Sequence, residues 1–404
     1  MSRLTYSTAL IVAAFSGLTV NAAEESATGF DAINRARVEY DDNIRESTAD
    51  KEDSFKIIEE LELMYNINTE ATLLGLRYMP SFVWFENRDE DDTDFHHQFD
   101  ASLQQSLSES LSFSLKDIFR RAELPELIEG TGVVRENNDY NYNSINAALD
   151  MDLSPSLTLK GEGRHIFLSY DDDAVADSSD YDQVVGGLSL ISSLDARSIL
   201  AGEATYDSTD YEDGVRSYAS TQIGMSLERQ LSVTSFLNVR GGYEFRTFDE
   251  DGIDDANSPY VSGGLAFNAS PETKLNLGVG YYLAQTPTSA FASQEKTVFS
   301  VGVDQALSAD LSLNVAASYA LGAYDSDYAT SAAGPDTDLD AEDKVLRVGA
   351  RLAYTVNPAN TVEVGWQYVD YDTDLSGTEV SAGESLGLRD YERNRISLGW
   401  KTRL

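Results

Sequence analysis

The chain contains no cysteine, so neither a disulfide framework nor a thiolate metal site can be built from it. Histidine is almost as scarce: His96, His97 and His165 are the complete set. His96 and His97 are adjacent, so in a strand they face opposite sides. No G-x-S-x-G or H-E-x-x-H motif occurs, and nothing singles out an acid–base pair, so the expectation is no enzyme, no cofactor and no metal centre. Basic residues are few. The 29 Lys and Arg stand against 69 Asp and Glu, and a net charge of -40 repels phosphate, which argues against nucleic acid as a partner. Beyond the N-terminus no apolar run approaches the ~20 residues of a membrane-spanning helix.

What is present argues against disorder, despite the acidity. Hydrophobic residues make up 42% of the chain and aromatic residues 10%, enough to build a folded structure. The N-terminus reads MSRLTYSTALIVAAFSGLTVNAAEES, with one basic residue, Arg3, ahead of a short apolar run and then small residues at Val20-Asn21-Ala22. This has the layout of a secretory signal peptide, residues 1–22. A short periplasmic segment, 23–32, would follow it, and a single folded unit, 33–404, would complete the chain.

From Arg35 onward the hydrophobic period is two, as in half-buried strands. In residues 275–283, Leu275, Leu277, Val279, Tyr281 and Leu283 alternate with Asn276, Gly278, Gly280 and Tyr282. Small polar turns recur between the strands: LSESL at 107–111, LSPSL at 153–157 and LSADL at 307–311. Eight such short turns alternate with nine long polar loops, among them ENRDEDDTD (86–94), DDDAVADSSD (171–180) and SAAGPDTDLDAED (331–343). Seventeen connections imply eighteen strands. The fold class is therefore all-β: a transmembrane antiparallel up-and-down β-barrel with short periplasmic turns and long acidic extracellular loops. A bilayer demands closure, because every backbone N–H and C=O in lipid must be paired. A soluble sandwich needs shorter strand spacing and a β-helix needs a short fixed repeat; neither matches.

Parity then separates the two faces. Leu74, Leu76, Phe82, Leu149, Met151, Val239, Phe267, Val315, Leu352 and Val364 are assigned to lipid, and the opposite parity to the lumen. Aromatics near the long loops, namely Tyr40, Tyr140, Tyr142, Tyr170, Tyr181, Tyr206, Tyr218, Tyr324, Tyr368, Tyr371 and Tyr391 with Phe95, Phe245 and Phe248, are expected to form an outer aromatic girdle. The lumen of so wide a barrel is expected to hold water; a narrow-specificity uptake channel would need a constriction loop, for which 122–138 or 372–390 is long enough.

Three groups of residues stand out. Arg35, Arg37, Arg347, Arg351, Arg393 and Arg395 lie near the two chain ends, which closure brings together, and form a candidate basic strip on one lumen wall. A strip of this kind, with Glu60 and Glu62 one strand further on, would set a transverse field; ordinary scattered ion pairs are the plainer alternative. Asp89, Asp91, Asp92 and Asp94 form a candidate divalent-cation loop, or else a solvated acidic run. Ile396, Leu398, Trp400 and Leu404 share one face of the last strand. That pattern resembles the assembly signal read by the barrel-insertion machinery, although the chain ends in leucine where an aromatic is usual.

The first strand, RARVEYDDNIRES at 35–47, leads through Tyr40-Asp41-Asp42-Asn43-Ile44 into the first surface loop. It resembles the start of the putative beta-barrel porin type 2 family, and the turn-and-loop layout is similar along the whole mature chain. The resemblance implies an integral outer-membrane barrel, surrounded by lipid and lipopolysaccharide. It also implies a conduit for secreted polysaccharide, working with a periplasmic export apparatus. A general diffusion porin for small hydrophilic solutes remains open, as does a non-conducting surface or adhesive barrel acting through its loops.

Overall fold

The computed structural model describes residues 28–48, 51–88, 92–122, 139–212, 214, 216–286, 291–324, 340–376 and 390–404. The signal-peptide expectation, 1–22, lies outside them. Eighteen strands form one antiparallel sheet. In chain order they are β1 (Gly29–Asp41), β2 (Ser54–Asn68), β3 (Thr72–Phe85), β4 (Thr93–Ser108), β5 (Leu111–Ala122) and β6 (Tyr140–Ser154). Then come β7 (Leu157–Tyr170), β8 (Tyr181–Asp195), β9 (Ser198–Tyr211), β10 (Tyr218–Gln230), β11 (Ser235–Phe248) and β12 (Ala256–Ser270). The last six are β13 (Thr273–Ala284), β14 (Gln294–Ala306), β15 (Leu311–Tyr324), β16 (Asp340–Asn357), β17 (Asn360–Ser376) and β18 (Tyr391–Arg403). A short helix, α1 (Asp173–Ser179), lies between β7 and β8. β1 opens at Gly29, ahead of the expected boundary at 33, because Gly29 through Ala32 pair with Asn66 through Leu63 and extend the ladder.

Each strand pairs with its sequence neighbours, and β1 pairs with both β2 and β18, so the sheet closes on itself. The closing register runs from Ile33 opposite Arg403 to Asp41 opposite Arg395. No edge is left unpaired, as hydrocarbon requires.

The recurrent turn has a common chemistry. At the strand end a Ser, Asp or Asn side chain accepts the backbone N–H two residues on. Ser108 accepts from Ser110 at 3.3 Å, Ser154 from Ser156 at 3.4 Å and Ser308 from Asp310 at 3.3 Å. Asp195 accepts from Arg197 at 2.7 Å, Ser232 from Thr234 at 3.1 Å, Ser270 from Glu272 at 3.1 Å and Asn357 from Ala359 at 3.0 Å. The remaining short turn uses Thr69, which accepts from Thr72 at 3.0 Å. These contacts replace backbone partners lost where the chain reverses. Register shifts at Ser106/Ser108, Asp152/Ser154, Ser193/Asp195, Asn268/Ser270 and Thr355/Asn357 place a bulge beside five of the turns. The LSxSL repeat is thus one solution to a tight reversal, used again and again.

The register carries the two faces around the cylinder. Lys401, Arg35, Glu60, Ser81 and His96 lie in one row, and Trp400, Ala36, Glu59, Phe82 and Phe95 in the next. The second row faces outward. Its parity includes the exposed apolar residues of every wall, such as Leu149, Met151, Val239, Phe267, Leu352 and Val364. Leu74, Leu76 and Val315 share it.

Candidate functional site in the lumen

The inner wall is polar and carries both signs of charge. All six arginines of the basic strip have lumen parity: Arg347 and Arg351 on β16, Arg393 and Arg395 on β18, Arg35 and Arg37 on β1. Three of them are held by carboxylates. Arg35 meets Glu62 at 2.7 Å, and Glu62 also accepts from Arg77 at 2.6 Å. Arg77 continues to Asp100 at 2.8 Å, which makes a ladder of alternating charge across β1 to β4. Arg37 meets Glu60 at 3.0 Å. Arg393 is buried, paired with Asp41 at 2.5 Å and with Glu46 at 3.0 Å, while Lys56 reaches the same Asp41 at 2.7 Å. These contacts stitch the closing seam at its extracellular end.

Arg351 differs from these, because no described residue forms an ion pair with it. It borders a cavity of about 280 Å³ at the periplasmic end, together with Lys274, Asp304 and Asn314. A second cavity, about 110 Å³, opens beside Arg37, Glu39, Lys56, Glu60, Gln98 and Arg395. Elsewhere on the wall, Lys160 meets Glu162 at 2.7 Å and Arg240 meets Glu203 at 3.0 Å.

The extracellular mouth is lined by loops that fold inward. Ile44, from the segment after β1, packs on the lumen-facing Ile58, Val83 and Phe85. Ala176 and Val175 of α1 pack on Tyr140, Tyr142, Ile166, Leu168, Tyr170, Tyr181 and Tyr211. The segment between β13 and β14 is pinned from both sides. Arg216 donates to the Thr286 carbonyl at 3.3 Å and stacks on Tyr211 at 4.0 Å. Arg246 reaches Ser293 at 3.0 Å, Glu244 at 2.8 Å and the Tyr218 ring at 4.3 Å. Phe291 is buried against Tyr324, with ring centroids 4.9 Å apart. The two loops long enough to constrict the pore, 122–138 and 372–390, lie largely outside the described residues. The inward segments among the described residues are held by tertiary packing that no local signal announces.

The aromatic girdle requires a correction. Tyr140, Tyr170, Tyr181, Tyr218, Tyr324, Tyr371 and Tyr391 are buried with lumen parity, beneath the inward loops. Tyr142 and Phe248 share that lumen parity, whereas Tyr40, Tyr206, Tyr368, Phe95 and Phe245 of the expected set face outward. The outer ring is completed by Phe55, Phe82, Trp84 and Tyr243, with contacts between Tyr40 and Phe55, Phe82 and Phe95, and Tyr243 and Phe245. Height along the strand does not distinguish the two sets; parity does.

The remaining candidates are placed as follows. Asp89 and Asp91 lie outside the described residues. Asp94 is buried in a two-point contact with Arg88, at 2.5 and 3.0 Å, and Asp92 accepts from the Trp84 indole at 3.3 Å. Among the described residues no group of three acidic or histidine side chains converges as a metal site. Ile396, Leu398 and Trp400 project outward on β18, and Leu404 follows its end, exposed. His96 faces the lumen and His97 the outside, where the Tyr78 hydroxyl lies 2.9 Å from its Nδ1.

A closed eighteen-stranded cylinder with an apolar exterior and a charged interior is an outer-membrane β-barrel of porin type. Residues 220–401, from β10 into β18, match the model of the family described as "Putative beta-barrel porin 2". The family that the first strand resembles is thus the one whose model matches, over the C-terminal strands and not over the first strand itself. Two crystal structures share the fold. Acinetobacter baumannii OccAB4 has a TM-score of 0.51 and 12% identity, over 94% of this chain and 100% of that one. Pseudomonas aeruginosa OccK2 (OpdF) has a TM-score of 0.50 and 11% identity, over 94% of this chain and 99% of that one. At these identities the likeness is one of fold. A search of curated proteins gave no match.

Proposed function

We propose that the protein is a passive channel for small hydrophilic solutes across the outer membrane, reached by signal-peptide-dependent secretion. The observation that carries this reading is the mixed-charge inner wall of a closed barrel whose extracellular mouth is lined by inward-packed loops. Eighteen strands leave a lumen that wall side chains do not fill. The inward segments around Ile44, α1 and Phe291 then reduce the opening on the extracellular side. Such an opening suits single small solutes better than a polysaccharide chain, so export rests on the resemblance alone. Arg351 supplies positive charge on the β16 wall, while Arg35, Arg37 and Arg393 mainly hold the closing strands to their acidic neighbours. The outward residues Ile396, Leu398 and Trp400 are the face that the insertion machinery would read.

Proteoliposome swelling with saccharides of graded length tests the reading. Rapid entry of monosaccharides, falling steeply with chain length, is expected. Equal passage of long oligosaccharides would favour a polymer conduit, and no swelling at all would leave a barrel that acts through its loops.

A further inference from the structure

The cavity of about 110 Å³ in the β1–β4 wall is not explained by the charge ladder beside it. Its polar lining comes from four neighbouring strands: Arg37 on β1, Glu60 on β2, Ser81 on β3 and Gln98 on β4. All four have lumen parity, so the period-two pattern delivers them to one place. Ile58, Met79 and Val83 supply an apolar surface among them. Ile58 and Val83 also carry the inward Ile44, which sets the cavity next to the segment that narrows the mouth.

Gln98 is only 3% exposed. Its Nε2 donates to both oxygens of Asp100, at 2.9 and 3.2 Å, and this fixes the amide. Turning it over would set its oxygen against a carboxylate. Oε1 is therefore held away from Asp100, buried, and no described residue donates to it. A buried acceptor in this state is unfavourable until a donor reaches it. Arg37 has the opposite deficit. It meets Glu60 through Nη1 and one carboxylate oxygen, 3.0 Å apart, while its buried Nε finds no acceptor among the described residues. A Glu39 oxygen 3.9 Å from that Nε is beyond hydrogen-bond reach. The cavity thus offers acceptors at Gln98 and the second Glu60 oxygen, a donor at Arg37, and the Ser81 hydroxyl between them. Water would satisfy the two polar deficits, but it gains nothing from Ile58, Met79 and Val83.

We propose that this cavity is a binding subsite for a small zwitterion with an aliphatic body, of the α-amino acid type. The ammonium donates to Gln98 Oε1, Glu60 and Ser81, the carboxylate accepts from Arg37, and the aliphatic part covers Ile58, Met79 and Val83. The Arg37–Glu60 pair stays intact, since the ligand uses the atoms it leaves over. Opposite charges side by side match a molecule that is neutral overall better than a free cation or anion. The subsite rests on the lumen's being a solute path and adds the class of solute held there.

Calorimetric titration of the purified full chain in detergent with L-valine tests this. Isobutylamine keeps the body of valine without the carboxylate, isovalerate keeps it without the ammonium, and glucose is the uncharged control. Saturable binding of valine, about tenfold or more tighter than any of the three, is expected. Gln98→Met removes the acceptor at similar size. It should weaken valine about tenfold and leave the barrel as heat-stable as before, because the lost atom had no partner. Should that variant not fold, Glu60→Gln is expected to show the same weakening. No saturable binding of valine, which leaves a cavity holding water only, overturns the proposal. So does glucose binding in place of valine, equal binding of isobutylamine or isovalerate, or an affinity that neither substitution changes. Binding in detergent does not depend on conduction, so the swelling assay stands apart. Saccharide entry without valine binding removes the subsite and keeps the channel; valine binding without entry does the reverse.

Discussion

Arg393 joins parts of the chain that are far apart in sequence. Its guanidinium binds Asp41 of β1 and Glu46 of the following loop, and all three residues are buried. Arg393→Ala would strand two acidic groups at the seam. Breaking a buried pair costs about 3–5 kcal/mol, and the low end applies here because Lys56 stays on Asp41. The expected outcome is a lower midpoint in denaturant unfolding followed by tryptophan fluorescence; an unchanged midpoint would contradict the role given to the seam. Gly242 shows a different constraint. The hydroxyl end of Tyr260 lies against Gly224 and Gly242, its ring 5.0 Å from the Arg240 guanidinium, and a Cβ at Gly242 would collide with that end and with the Ile223 carbonyl. Gly242→Ala should therefore push Tyr260 into the lumen and lower conductance, measured channel by channel. Lumen parity for Arg393 is legible in the sequence, as it is for the other strip arginines. Its partner Glu46 is not, because a loop residue has no period to read.

At the scale of elements, strands and short turns are the most legible features. Period two fixes the face of nearly every wall residue, and the Ser, Asp or Asn that ends a strand supplies its own turn hydrogen bond. Removing one such bond, as in Ser154→Ala, should cost no more than about 1 kcal/mol in unfolding experiments, since the turn is exposed and water replaces the lost partner. The docking of α1 is the contrasting case. Its short sequence gives no hint of the tyrosines beneath it, which come from the ends of four different strands, β6 to β9. Ala176→Glu would force a charge against that cluster, and the helix should leave it, giving larger and noisier single-channel currents. Asp180, just after α1, adds a pH dependence. Burial pushes its carboxyl above the usual range, although it accepts the Tyr170 N–H at 2.8 Å. A raised carboxyl is protonated more readily in the docked form. The docked form is thus favoured at acidic pH and loses that advantage as pH rises through the raised value. Hydrogen exchange of the 171–180 segment, corrected for intrinsic rates, should show more protection at acidic pH, and Asp180→Asn should flatten the dependence.

For the whole molecule, the net charge of -40 and the balanced wall belong together. The lumen carries paired charges of both signs, while the acidic excess lies in the loops that surround the mouth. That arrangement enriches cations at the entrance without trapping them in the lumen. Closure itself was legible, because strictly alternating short and long connections allow few other architectures in lipid. The inward loops and the buried tyrosine ring were not, since both depend on contacts between distant loops and strand ends. The direct test is single-channel recording of the refolded protein in planar bilayers under a salt gradient. Steady conductance with a weak cation preference, strengthened by Arg351→Glu, is the predicted result. A barrel that is folded and inserted yet conducts nothing, or that selects strongly for anions, would contradict the channel assigned to it.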